Sequence, residues 1–277
     1  MHSFFKIISI LFLTIFLTII TQVGGLIYLL SRFTYPFINR KTQHALFRFT
    51  LKVFSFLSLY TILTFTLVPV LAKSFGRVPL PITSTHHLRP LNIITCLLNR
   101  NYVRPELRDV AFDVSGQMAS KYPNTVVNYL DANFPFINGF PLIPHLSHND
   151  GKKLDLSFCY IDAVTHKETN ACPSFIGYGI CEAPKPNEEN MPEVCAGQGY
   201  WRYSFLTKVV FQENKNIFLF DSIRTKKLVM LFVSQKNIGK VFIEPHLKTR
   251  LNLNSDKIKF HGCRAVRHDD HIHVQIL

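Results

Sequence analysis

The chain is 277 residues long and 47% hydrophobic, with 31 Lys and Arg against 18 Asp and Glu and a formal net charge of +13. This composition is too apolar for a disordered chain, and the length is too small for many domains. Residues 1–77 hold eight of the basic residues and no acidic one, leaving 23 basic against 18 acidic residues, so the excess marks membrane flanks and argues little for a nucleic-acid partner.

From Ile7 to Leu30 the chain carries no charge for 24 residues, enough for a helix to cross about 30 Å of hydrocarbon. A second uncharged run, Val53 to Ala72, has Pro69 near its far end, where a helix break costs least. Between them Arg32, Arg40, Lys41, Arg48 and Lys52 form a short basic loop. The positive-inside tendency puts that loop in the cytoplasm, both termini outward and everything after Lys73 outside the cytoplasmic membrane. The expected organisation is a two-span hairpin over 1–72, a juxtamembrane connector over 73–103 and a domain over 104–277.

Within the domain, Pro105 and Glu106 open a helix. A Pro-containing break at Tyr122–Asn124 precedes a strand at Val126–Tyr129, and an ordered loop from Phe134 to Pro144 leads to His145. Leu154–Ile161 alternates as one buried strand, with Asp155 facing opposite to Leu154 and Leu156. Residues 163–200, rich in Pro, Gly, Asn and Glu, read as an insertion or lid held by disulfides. A strand at Trp201–Phe211, a helix from Asp221 to Val233 capped by Asp221, a strand at Lys240–Ile243 and a closing strand at His271–Leu277 follow. All six cysteines, at 96, 159, 172, 181, 195 and 263, lie beyond the second span. An oxidising compartment allows up to three disulfides; reduced buried thiols are the alternative, and the lack of a C-x-x-C pair argues against structural zinc.

Two segments concentrate the chemistry. In His148-Asn149-Asp150-Gly151-Lys152-Lys153-Leu154-Asp155, the glycine can take a positive φ, turning the chain so that a loop imidazole and a strand carboxylate converge. In His268-Asp269-Asp270-His271-Ile272-His273, two imidazoles two apart on a strand share a face. Three protein ligands and an open position make a catalytic zinc site. His148, Asp155 and one histidine of the pair supply the three, and the other histidine is free to take a proton from the attacking water or to stabilise an oxyanion.

H-x-x-G-x-x-x-D followed far downstream by H-x-H resembles the LAS metallopeptidases, and the ending His-Asp-Asp-His-Ile-His-Val is most similar to the penicillin-insensitive murein endopeptidases. The resemblance, covering roughly 104–277, implies a small α+β fold around an antiparallel sheet. It implies zinc on His148, Asp155 and His273, His271 as the catalytic histidine, His268 lining the site, and peptidoglycan peptides as substrate. The membrane hairpin and the Cys-bearing insertion at 163–200 depart from that family. Glu244 precedes His246 by two, which does not give the Glu-x-x-His of dipeptidase relatives. A zinc-containing binding module of hedgehog type and, less favoured, a metal-dependent nuclease are the rival expectations.

Around these motifs, His145 reads as a hydrogen-bonded loop residue. Asp150, Asp269 and Asp270 are candidates to orient an imidazole, Asp269 and Asp270 the better pair. Lys152 and Lys153 are candidates to attract a substrate carboxylate, against the plainer reading as solvated turn residues. Arg224, Lys226 and Lys227 read as the wet face of a helix, and Trp201 and Tyr203 as core aromatics.

Overall fold

In the computed structural model, which describes residues 2–277, an N-terminal helical layer is joined to an α+β domain built on a mixed sheet. Helices His2–Thr21 and Ala45–Phe65 are long and apolar enough to cross a membrane. Only 6% of each apolar window is buried inside the protein, which is not how the core helix of a soluble domain behaves.

The run expected to be one span, Ile7 to Leu30, is broken. Gln22 adopts φ +66°, and a second helix, Gly24–Ser31, folds back along the first. Gly25 permits the approach: a Cβ there would lie 2.1 Å from Thr18 Oγ1 and 2.3 Å from the Thr14 carbonyl oxygen. The basic loop is not a loop either. A 3-10 turn at Arg32–Thr34 and helix Tyr35–Lys41 continue the return run, and helix Ala45–Phe65 starts eight residues ahead of the expected second span.

Both long helices end at the domain. Gln22 Oε1 accepts from the Phe136 N–H at 2.8 Å, and the Tyr60 hydroxyl donates to the Leu97 carbonyl at 2.5 Å while accepting from Asn99 Nδ2. Val23, Ile27, Tyr60, Val68, Ala72 and Tyr102 form one buried apolar cluster across this junction. The two helices therefore run in the same direction, and the N-terminus lies at the end of the helical layer remote from the domain. The start of the first helix and the α+β domain thus lie at opposite ends of the helical layer.

The central sheet has six strands in the order Ile258–Lys259, Ile238–Phe242, His271–Ile276, Lys153–Ser157, Val127–Tyr129 and Leu88–Pro90. Its centre is antiparallel, as expected, but both edge strands pair in parallel. One face buries Leu154, Leu156, Ile272 and Val274 in a core shared with Leu107, Val110 and Val114 of helix Pro105–Lys121 and with Leu228, Val229 and Phe232 of helix Ser222–Ser234. At about 1.5–3 kcal/mol per buried aliphatic or aromatic side chain, this face anchors the two central strands. The opposite face is left for polar side chains.

Asp221 caps the second of those helices, accepting from the backbone N–H groups of Ile223 and Arg224. Arg224 is not on a wet face as expected. It is buried, donates to Asp221 Oδ2 at 2.6 Å and also donates to the Tyr160 carbonyl. The strand expected over Leu154–Ile161 is two strands, Lys153–Ser157 and Tyr160–Asp162, and the second joins a separate three-stranded sheet. Trp201–Phe211 forms turns and a short helix, Phe205–Val209, instead of a strand.

Among the described residues there is one disulfide, Cys195–Cys263, and Cys96, Cys159, Cys172 and Cys181 are free. Bridging positions 68 apart contributes about 4 kcal/mol through the unfolded chain's lost entropy. The insertion is thus fastened by one bridge at its end, not by several.

Candidate metal centre

The polar face of the sheet positions two of the three expected ligands by register. His273 and Asp155 are direct partners across the two central strands, which puts their Cβ atoms about 5 Å apart on one face. Asp155 is held in place from the other side, where its N–H donates to the Asp131 carbonyl and its carbonyl accepts from the Leu130 N–H. His148 arrives from the preceding loop. Gly151 adopts φ +81° and its carbonyl accepts from the Arg104 N–H at 2.7 Å, so the chain turns out of the strand toward His148 as the motif predicted.

Three ligating atoms converge. His148 Nε2 lies 3.1 Å from His273 Nδ1 and 3.2 Å from Asp155 Oδ1, and His273 Nδ1 lies 2.8 Å from Asp155 Oδ1. Donors placed tetrahedrally at about 2.0–2.2 Å from a zinc ion sit about 3.3 Å apart, so this triangle has the size of one coordination sphere. Its chemistry fits as well. His148 Nδ1 faces the Ala132 carbonyl at 2.6 Å, which requires the proton on Nδ1 and leaves a lone pair on Nε2 aimed at a carboxylate oxygen. Two acceptors facing each other in a buried site are reconciled by a cation between them. The group His148, Asp155 and His273 can hold a metal ion.

Outer partners fix these groups. The Tyr178 hydroxyl donates to Asp155 Oδ2 at 2.8 Å and accepts from the Asp131 N–H. His145, buried and 2.9 Å from Asp131 Oδ2 through Nδ1, packs its ring 4.4 Å from Tyr178. Arg100 closes the chain on Asp131 at 2.9 Å. Outer-sphere partners typically carry 10–100-fold in metal affinity. Tyr178→Phe removes one hydroxyl and little packing, so zinc affinity by competitive titration is expected to fall by about that factor, with a nearly unchanged melting temperature when both proteins are measured in a chelator.

His271 sits beside the triangle. Its Nδ1 is 2.5 Å from Asp270 Oδ1, and Asp270 Oδ2 accepts from the Gly179 N–H at 2.6 Å. Its other nitrogen, Nε2, is 3.8 Å from Asp155 Oδ1 and has no hydrogen-bond partner among the described residues. Burial pulls the His271 imidazole down, but the Asp155 and Asp270 carboxylates outweigh it and lift it to about 9. For Asp155 burial works upward, and the imidazoles of His148, His271 and His273 hold the carboxyl well below its ordinary value. Burial, reinforced by His271 and His273, keeps His268 well below the usual histidine range. His268 also lines the site, with its ring centroid 4.9 Å from that of His271.

These residues form the floor of a cavity of about 560 Å³. The loop Ile143–Ser147 lines it, together with Trp201, Arg202, Phe205, His261 and the stretch Arg264–Val266. The five expected site residues thus come together. Of the carboxylates proposed to orient imidazoles, Asp270 does so for His271. Asp269 instead pairs with Arg267 through both oxygens, and Asp150 pairs with Lys153 at 2.6 Å. Lys153 is thereby neutralised and Lys152 Nζ donates to the Leu277 carbonyl, so neither lysine faces the cavity. Tyr203 is a core aromatic as expected and donates to Glu244 at 2.5 Å, whereas Trp201 is 66% exposed on the cavity wall.

Tyr178, Asp131, Arg202 and Arg264 were not found by the motif reading. Tyr178 and Gly179 come from the insertion, which therefore braces the site in addition to flanking it. The one sequence signal for them was a Tyr-Gly step within a Gly-rich stretch of otherwise unpatterned loop. No protein-family profile matches the chain, and no curated protein matches it significantly.

Proposed function

We propose that the chain is a membrane-anchored zinc peptidase that hydrolyses amide bonds in peptidoglycan stem or cross-bridge peptides outside the cytoplasmic membrane. The observation that carries this reading is the buried triangle of His148 Nε2, Asp155 Oδ1 and His273 Nδ1 at the floor of an open cavity, with the unpartnered His271 Nε2 beside it. A closed structural site uses four protein ligands; here three converge, and all three line the cavity. The helical layer and the single disulfide support the location. Lys6, Lys41 and Arg48 lie toward the end of the layer remote from the domain, which the positive-inside tendency assigns to the cytoplasm, and a disulfide fits the oxidising side.

In this mechanism His148, Asp155 and His273 would hold the ion, which would supply Lewis-acid polarisation of the scissile carbonyl. Tyr178 keeps Asp155 in its ligating rotamer. Asp270 holds the His271 ring so that Nε2 looks toward the ligand set; a cation on Asp155 would cancel one of the two carboxylates that keep this imidazole protonated, freeing Nε2 to take a proton from the attacking water and pass it to the leaving amine. His268 narrows the approach to that nitrogen.

The test is digestion of muropeptide dimers by the full-length protein in detergent micelles, read by mass spectrometry. Wild type cuts the dimers. His271→Ala keeps its zinc and loses about 100- to 10,000-fold in turnover, the range for one acid–base group. Retained zinc with no cleavage by wild type would instead make the chain a metal-containing binding module.

A further inference from the structure

The ionic groups of the cavity are lopsided. Its only acidic lining residue is Asp155, which is fully buried and committed to the ligand triangle, while two arginines, Arg202 and Arg264, stand exposed on one wall. Neither has a hydrogen-bonded or ion-paired side-chain partner among the described residues, unlike Arg77, Arg100, Arg224, Arg250 and Arg267, each of which is engaged. They belong to segments distant in sequence that are tied together. Cys195 precedes Trp201-Arg202 and bonds Cys263, the residue before Arg264, and the Arg267 N–H donates to the Tyr203 carbonyl at 3.3 Å. The bridge thus ties together the two segments that carry these unpartnered guanidinium groups, and both arginines line the same cavity as Ile143 and Leu146.

We infer that this wall is an anion subsite: Arg202 and Arg264 together bind a carboxylate of the peptide that occupies the cavity. The chemistry follows from the guanidinium fork, which matches a carboxylate with two parallel N–H donors and is more weakly hydrated than an ammonium. In the same cavity, the exposed side chains of Ile143 and Leu146 give the peptide an apolar surface to lie on. The inference rests on the proposed peptide substrate and adds to it which end or side chain is recognised: a free carboxylate, not an amidated one. It replaces Lys152 and Lys153 in the role the sequence suggested for them.

The experiment compares N-acetyl-Lys-D-Ala-D-Ala as the free acid with its C-terminal amide, binding to the zinc-loaded full chain in detergent micelles by calorimetry. Wild type is expected to bind the acid at least about tenfold more tightly than the amide, and Arg202→Gln or Arg264→Gln each to remove about tenfold of the acid's affinity. Both variants should leave amide binding, zinc content and melting temperature unchanged. Equal binding of acid and amide by wild type, absence of binding of either, or variants that keep the preference would overturn the subsite. The last result would mean that the metal captures the carboxylate. Inorganic phosphate that displaces the acid at equal concentration would also overturn it, by making the wall a phosphate site. Mass spectrometry of the recovered acid reports cleavage separately: selective binding without cleavage leaves the subsite standing and counts against the peptidase reading alone.

Discussion

Asp155→Ala is expected to empty the metal centre. Purified in micelles, the wild-type chain should carry about one zinc per molecule, and the variant should carry none after dialysis against zinc-free buffer. The loss should exceed the 10–100-fold that outer partners cost, because a ligand and the only negative charge of the triangle go together. The same variant reports on stability. At zinc about 1,000 times its dissociation constant, binding stabilises the folded wild type by about 4 kcal/mol. That corresponds to about 8–16 °C of melting temperature for a domain of this size. A chelator should therefore lower the wild-type melting temperature by that amount and leave the Asp155→Ala melting temperature unmoved. A chelator-sensitive variant would place the metal elsewhere.

Arg77→Ala is expected to destabilise the chain by about 3–5 kcal/mol, the sum for three buried acceptors left without their donor at about 1–2 kcal/mol each. Arg77 is fully buried where the helical layer meets the domain. Its guanidinium donates to the Phe134 carbonyl, to Asn138 Oδ1 at 2.6 Å and to the Asn149 carbonyl at 3.2 Å. No carboxylate accepts from it, and burial with Arg104 nearby draws its pKa down to about 10. The substitution leaves three acceptors without their donor and a cavity under the loop that delivers His148. Thermal denaturation should show a fall of about 6–20 °C, and the metal should bind more weakly because the loop no longer holds its imidazole in place. A variant that melts like wild type would show that the loop is held by its own turns alone.

Much of the site was legible because it depends on short-range geometry. A period of two puts His271 and His273 on one face, and a single glycine at positive φ brings His148 toward Asp155; both are read from adjacent residues. What escaped depends on contacts with no local signature. Hydropathy counts apolar residues and does not register a reversal of direction, so the break at Gln22 passed as part of one span. The aromatic alternation Trp201, Tyr203, Phe205 imitates a strand, yet Tyr203 is drawn inward by Glu244 while Trp201 stays on the cavity wall. The strand read from Leu154 to Ile161 stops at Ser157, after which the Cys159 N–H donates to Thr225 of a packed helix instead of to a neighbouring strand. Arg224 looked solvated because the partner that buries it, Asp221, also reads as an ordinary helix cap. The same limit hid Tyr178, whose hydroxyl reaches Asp155 only after the insertion folds back over the sheet.

The most direct measurement is the X-ray absorption spectrum of the zinc-loaded full-length protein. Two imidazole nitrogens and one carboxylate oxygen should appear at about 2.0–2.2 Å, with one further light donor from solvent and no sulfur. A zinc–sulfur distance of about 2.3 Å, or a sphere with no imidazole scattering, would contradict the assignment of His148, Asp155 and His273.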